Sequence, residues 1–258
     1  MGNSGLICYT KLSPNHSGQR THAIDRITPH CVVGQLSCET ICDCFPAGRN
    51  ASCNYGIGKD GRISLCVEEK NRSWCSSSNA NDQRAVTIEC ASDKSEPYAM
   101  TTAVYASLVK LCVDICQRNG KKKLLWFGDK AKTLAYNPAA DEMVITVHRW
   151  FANKSCPGDW LYSRLGDLAA QVTAQLSGSN GTSGSAGFPT TPFQVRVIVS
   201  DLNIRKQPCM GNNTTGKYTG KGVFTIVEVK DGWGKLKSGA GWIWLKNSNY
   251  CTVLNTVG

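Results

Sequence analysis

Nothing in this chain of 258 residues amounts to an unbroken apolar run of about 18 or more, so the sequence predicts no membrane-spanning helix. It also lacks the basic start, apolar core and small-residue cleavage site of a secretory leader, and the expectation is a protein made in the cytoplasm without a signal peptide. Acidic residues are scarce: 19 Asp and Glu stand against 29 Lys and Arg, for a net charge of +10. A deficit of that size favours an anionic partner. No recognised nucleic-acid motif accompanies the charge, so nucleic acid is not the partner the sequence predicts.

Cysteine, by contrast, is abundant, with 14 in the chain. The paired spacings of a small disulfide-stapled secreted scaffold are missing, and the thiols fall inside strand-like and helix-like runs, which predicts that most are reduced and buried. Cys112 and Cys116 share a helical face with Val104, Leu108, Leu111 and Ile115, as core-facing residues do. Cys31, Cys38, Cys42 and Cys44 are dense enough to be weighed as a second metal site, but helical spacing turns Cys44 away from Cys38 and Cys42.

Apolar content of 41% supports a folded core. Strand-like runs recur near residues 24–33, 55–66, 84–91 and 143–150, with helical patterns near 36–46, 98–119 and 159–176 between them, which predicts a mixed α/β domain over 1–176. The long helix has a natural stop at Asn119-Gly120, and Asp159 is available as an N-cap for the last one. Residues 177–192 read SGSNGTSGSAGFPTTP, without charge or period, and predict a flexible tether. From 193 to 258 short alternating runs broken by Gly, Asn and Asp-Gly predict a small all-β barrel.

The most informative stretch is HRWFANKSCPGD at 148–159, which sets an imidazole and a thiol eight positions apart after the apolar run Met143 to Val147. A strand end there would let a loop return Cys156 to the same ion as His148, and nitrogen with sulfur suits Zn²⁺. A second short apolar run ends in His30. Three ligands would leave one corner open for water or substrate, as catalytic zinc sites do. From spacing alone, two ordinary sheet-end histidines and one buried thiol fit equally well.

Four segments, TPHCVVG (28–34), NYGIGKDGRI (54–63), RAVTIECA (84–91) and HRWFANKSCPGD (148–159), occur in an order and spacing that resemble the zinc-dependent N-acetylmuramoyl-L-alanine amidases of type 2, across about residues 5–176. The resemblance implies a central sheet flanked by helices, one Zn²⁺ per chain on His30, His148 and Cys156, Glu89 as general base, and Lys154 as an oxyanion stabiliser. Where that family often has tyrosine, this chain has Cys53, so catalysis would rest on Glu89. In WCSSSNANDQR, Trp74, Asn79, Asp82 and Arg84 are candidate contacts to the stem peptide or anchors of their own loop, and Tyr55 and Trp150 are candidate walls of the groove or, equally, aromatic residues of the core.

The tail resembles bacterial SH3-type cell-wall binding domains through DLNIR (201–205), DGWGKLK (231–237) and GWIWL (241–245). Residues 193–258 hold nine Lys or Arg against three Asp or Glu, which suits anionic wall polymers. Trp233, Trp242, Trp244 and Tyr250 would divide between core and an aromatic groove. Together the halves resemble an endolysin or autolysin that waits in the cytoplasm and acts on bacterial peptidoglycan after release. A non-catalytic peptidoglycan receptor of the same fold is the alternative, against which the retained Cys156 argues; a cysteine peptidase has no supporting motif.

Overall fold

Short β-branched runs and longer amphipathic ones alternate through the first part of the chain, and the computed structural model shows what each becomes; it describes residues 2–177, 188–208, 213–230, 232–245 and 250–254. The chain divides into two units, Met1–Gly178 and Ser179–Gly258. In chain order the first holds β1 (Ile7–Thr10), β2 (His16–Gln19), β3 (Arg26–Cys31), α1 (Cys38–Asp43), β4 (Tyr55–Ile57), β5 (Ile63–Leu65), β6 (Asn71–Ser73), α2 (Asn79–Arg84), β7 (Ala85–Cys90) and α3 (Thr102–Arg118). It continues with β8 (Lys123–Leu125), α4 (Lys130–Ala135), β9 (Glu142–Ile145), a 3-10 turn at His148–Trp150, α5 (Asp159–Tyr162) and α6 (Leu165–Ser177).

Seven strands form one sheet in the order β1-β5-β4-β7-β3-β9-β8, and every pairing in it is parallel except β4 with β5. A mostly parallel sheet needs cover on both faces, which explains why every residue of β3, β4, β5 and β9 is buried. Helix α3 begins where the Thr101 side chain accepts from Val104 N–H, and it ends at Asn119 before Gly120, whose φ is +68°. Its face of Val104, Leu108, Leu111, Cys112, Ile115 and Cys116 is fully buried, as the sequence predicts.

The strand expected over 55–66 is a hairpin of β4 and β5. Gly61 closes it at φ +82°, where a Cβ would lie 2.8 Å from Ala103 O on α3. The strand expected over 143–150 stops at Ile145, because β9 pairs with β3 only through Val144 and Ile145, and His148 then opens the 3-10 turn. The helix expected over 159–176 is split into α5 and α6. Asp159 is not its N-cap; that position is Gly158, and Asp159 instead pairs with Arg149 at 3.0 Å. Short elements such as α2 and α4 carry too few turns for periodicity to reveal them.

Among the described residues twelve cysteines are free thiols, nine of them buried. Cys31, Cys38, Cys42 and Cys44 do not converge on a metal position among the described residues. Cys42 instead meets Cys66 at 2.8 Å, and Cys53 is sealed beside them in a small core with Ile41 and Phe45.

Tyr55 is fully buried, and its hydroxyl donates to Glu69, a carboxylate with no exposure that also accepts from Arg118 Nη1 at 2.9 Å. This places Tyr55 in the core and not on a groove wall. Replacing Glu69 by alanine leaves the buried Tyr55 hydroxyl without its acceptor and removes one of the two carboxylates on the half-buried Arg118, and it is expected to lower unfolding stability by about 1–3 kcal/mol in denaturant titration. A loss below about 1 kcal/mol would show that solvent reaches the pair.

The second unit holds β10 (Phe193–Val197), β11 (Asn203–Arg205), β12 (Thr214–Tyr218), β13 (Gly222–Lys230), β14 (Trp233–Leu236), β15 (Trp242–Trp244) and β16 (Cys251–Leu254) in one antiparallel sheet, ordered β12-β11-β15-β14-β13-β10-β16. Alternation of buried and exposed residues along Phe193–Val197 turns Phe193, Val195 and Val197 inward onto Ile226, Leu236 and Ile243. Trp233 and Trp242 are buried, whereas Tyr250 is 41% exposed. Of the expected tether, Ser177 ends α6, residues 178–187 lie outside the described residues, and Phe188 stacks on Phe193.

Candidate metal centre

Parallel pairing of β3 with β7 is in register over six residues and sets His30 directly opposite Glu89. Both side chains therefore leave the sheet on the same face at its C-terminal edge. His148 arrives from the next strand in the sheet, just past the end of β9, and the loop that follows brings back Cys156. His30 Nδ1 lies 3.2 Å from Cys156 Sγ, and the two imidazoles meet edge to face at 5.1 Å between ring centres. The ligand atoms of His30, His148 and Cys156 all fall within 4.8 Å of one another. His30, Cys75 and Glu89 form a second such group that shares His30.

The electrostatics suit ligands. Burial, and then the neighbouring His148, hold the His30 imidazole well below its ordinary range, while burial and then Lys154 lower His148. Both rings are thus neutral near pH 7, the form that donates a lone pair to a metal. The Cys156 thiol is pushed up, chiefly by burial. Glu89 is raised to about 7 by burial, and its sole side-chain partner is the weak donor Cys75 Sγ at 3.8 Å. Glu89 Oε2 and His30 Nε2 are buried without a hydrogen-bond partner. Buried polar atoms in a native protein are nearly always satisfied, so two orphans in one site fit a place for an ion and a polar ligand. Nitrogen, nitrogen and sulfur at this spacing fit Zn²⁺.

The loop before α2 supports the centre. Asp82 accepts from the backbone N–H groups of Cys75 at 3.0 Å and Ser76 at 3.2 Å, which ties the loop down. Ser77 then adopts a left-handed φ of 61° and shares a hydrogen bond with His148 Nε2 at 2.9 Å. That contact leaves Nδ1 as the other ring nitrogen of His148, which is open to a metal in the tautomer whose Nε2–H donates to the hydroxyl. The sequence reading missed Ser77, Cys75 and Cys31, the last of which lies against Cys156. Ser77 and Cys75 lie in a polar loop with no period to mark them, and Cys31 reads as one more buried strand residue at the end of β3.

Other candidates separate. Lys154 is exposed on the loop beside His148. Trp150 is buried, stacked on Trp126, and lines a cleft next to the centre. Trp74 Nε1 donates to Ser17 Oγ at 2.7 Å and Arg84 is engaged by Asp25, so these two hold local structure, whereas Asn79 is exposed at the start of α2. Cys53 lies in the small thiol core and outside both ligand groups.

Comparison with known proteins adds a family. Residues 20–159 match the family model described as N-acetylmuramoyl-L-alanine amidase. Among solved structures, the chain is similar to PlyL, at 14% identity and a TM-score of 0.47 over 64% of this chain and 95% of that one. It is also similar to the Ph2119 endolysin from a Thermus scotoductus bacteriophage, at 15% identity and a TM-score of 0.41 over 62% and 99% of the two chains. A third is the Staphylococcus aureus hydrolase AmiA in complex with its ligand, at 14% identity and a TM-score of 0.44 over 66% and 84%. No curated protein matches the chain.

Proposed function

We propose, on the premise that this chain belongs to the N-acetylmuramoyl-L-alanine amidase family, that it hydrolyses the amide between the lactyl group of N-acetylmuramic acid and L-alanine in bacterial peptidoglycan as a zinc enzyme. The observation that carries this reading is the convergence of His30, His148 and Cys156 beside the unpartnered Glu89 Oε2. Bound zinc would supply Lewis acidity toward the scissile carbonyl and bring the pKa of water down to about 7.

The chain's own residues account for the rest. Cys156, His30 and His148 would hold the metal, with Ser77 fixing the His148 ring. Glu89, raised to about 7 by burial, is matched to accept a proton from the attacking water at neutral pH and return it to the leaving amine. Lys154 would offset the negative charge that grows on the carbonyl oxygen. Residues 1–176 would form the catalytic domain and 193–258 an SH3-like wall-binding domain, joined through 177–192. In the latter, a cleft of about 230 Å³ lined by Asp201, Arg205, Trp233, Trp244 and Tyr250 offers aromatic faces to wall polymers.

Digestion of purified peptidoglycan by the full chain tests the proposal. New L-alanine amino termini without new reducing sugar ends are the expected products. A metal chelator should abolish their release, and added zinc should restore it. Release that persists at full rate under chelation would point to a thiol enzyme, and wall binding without any cleavage would point to a receptor.

A further inference from the structure

Arg26, at the start of β3, is 6% exposed, yet among the described residues no carboxylate lies within ion-pairing distance of it. Its one side-chain hydrogen bond runs from Nη1 to the neutral Asn81 Oδ1 at 3.1 Å. Asn81 has no freedom to offer more, since its amide donates to Thr28 Oγ1 and Ser76 Oγ, and its Oδ1 also accepts from Thr146. The adjacent Asp25 is paired with Arg84, and its charge supports the Arg26 cation less than burial and the Arg84 charge oppose it. Arg118, the half-buried arginine of the Glu69 cluster, shows the usual solution, with carboxylates on both sides of it. A buried cation without an anion is costly, and the cost is relieved when an anionic ligand completes the site.

Arg26 lines a cleft of about 520 Å³ that also presents Lys130, Ser77, Trp150 and Phe151, with no acidic residue in its lining. Ser77 is the residue that touches His148 Nε2, so the cleft begins one side chain away from the metal donors. Two cations, hydroxyls and two aromatic walls suit a short peptide bearing a carboxylate. Resting on the amidase reading above, we propose that this cleft is the subsite for the peptide side of the substrate, with Arg26 and Lys130 binding a free carboxylate of the residue that follows L-alanine.

The test is calorimetric binding to the full chain after chelation, so that affinity is read apart from turnover. The probes are N-acetylmuramoyl-L-alanyl-D-glutamic acid and its diamide. Wild type is expected to bind the acid at least about tenfold more tightly than the diamide, the difference a charge-assisted hydrogen bond makes. Arg26→Gln should close that gap while leaving diamide affinity unchanged. Lys130→Gln, at an exposed position, should narrow it by about threefold and keeps the test sound if Arg26→Gln fails to fold. Equal affinity of wild type for the two probes, or a gap that either folded variant leaves intact, overturns the proposal. A chain that shows the gap but cleaves no muramoyl peptide keeps the subsite and loses the amidase reading.

Discussion

Cys156→Ala is expected to remove zinc from the protein and to lower kcat/KM for peptidoglycan by on the order of 10³ or more, because several kcal/mol of transition-state stabilisation depend on the metal. The thiol stands 3.2 Å from His30 Nδ1 and within 4.8 Å of the His148 donor, and two imidazoles without it offer only half of a tetrahedral set. Zinc content by atomic absorption should fall from near one per chain to a small fraction, with the circular dichroism spectrum retained. Cys112→Ala supplies the contrast. That thiol is more deeply buried and packs in the α3 core, so its loss should lower stability by about 1 kcal/mol and leave zinc and turnover unchanged. Full zinc occupancy in the Cys156 variant would end the proposed ligand set.

Glu89→Gln separates chemistry from binding. The isosteric amide fits the same space on β7, and replacing a carboxylate raised to about 7 by a neutral group removes no ion pair. Folding and zinc content should therefore match wild type. Turnover should fall by about 10²–10⁴, the usual contribution of a positioned general base. KM should change little if Glu89 acts on the attacking water and not on the bound peptide. Wild-type rates in this variant would remove Glu89 from the mechanism. Cys53 is sealed in the small thiol core and outside both candidate ligand groups, so the proposed mechanism leaves the proton transfer to Glu89.

The sequence by itself singled out the candidate ligand residues and the change of composition between the two parts of the chain, because both are carried by local signals. Imidazole and thiol at the ends of apolar runs are legible one segment at a time, as are a chargeless Gly/Ser stretch and the face of α3. What the sequence left open was which distant groups meet. The parallel register that sets Glu89 opposite His30, the loop that turns Ser77 onto His148, and the packing that sealed Tyr55 behind Glu69 all join residues far apart along the chain. The same holds for Arg26, an ordinary strand residue in the sequence, which becomes a buried cation without an anion only once α2 and β9 close around it. Burial and the absence of a partner belong to three-dimensional packing, and no residue's identity or spacing encodes them.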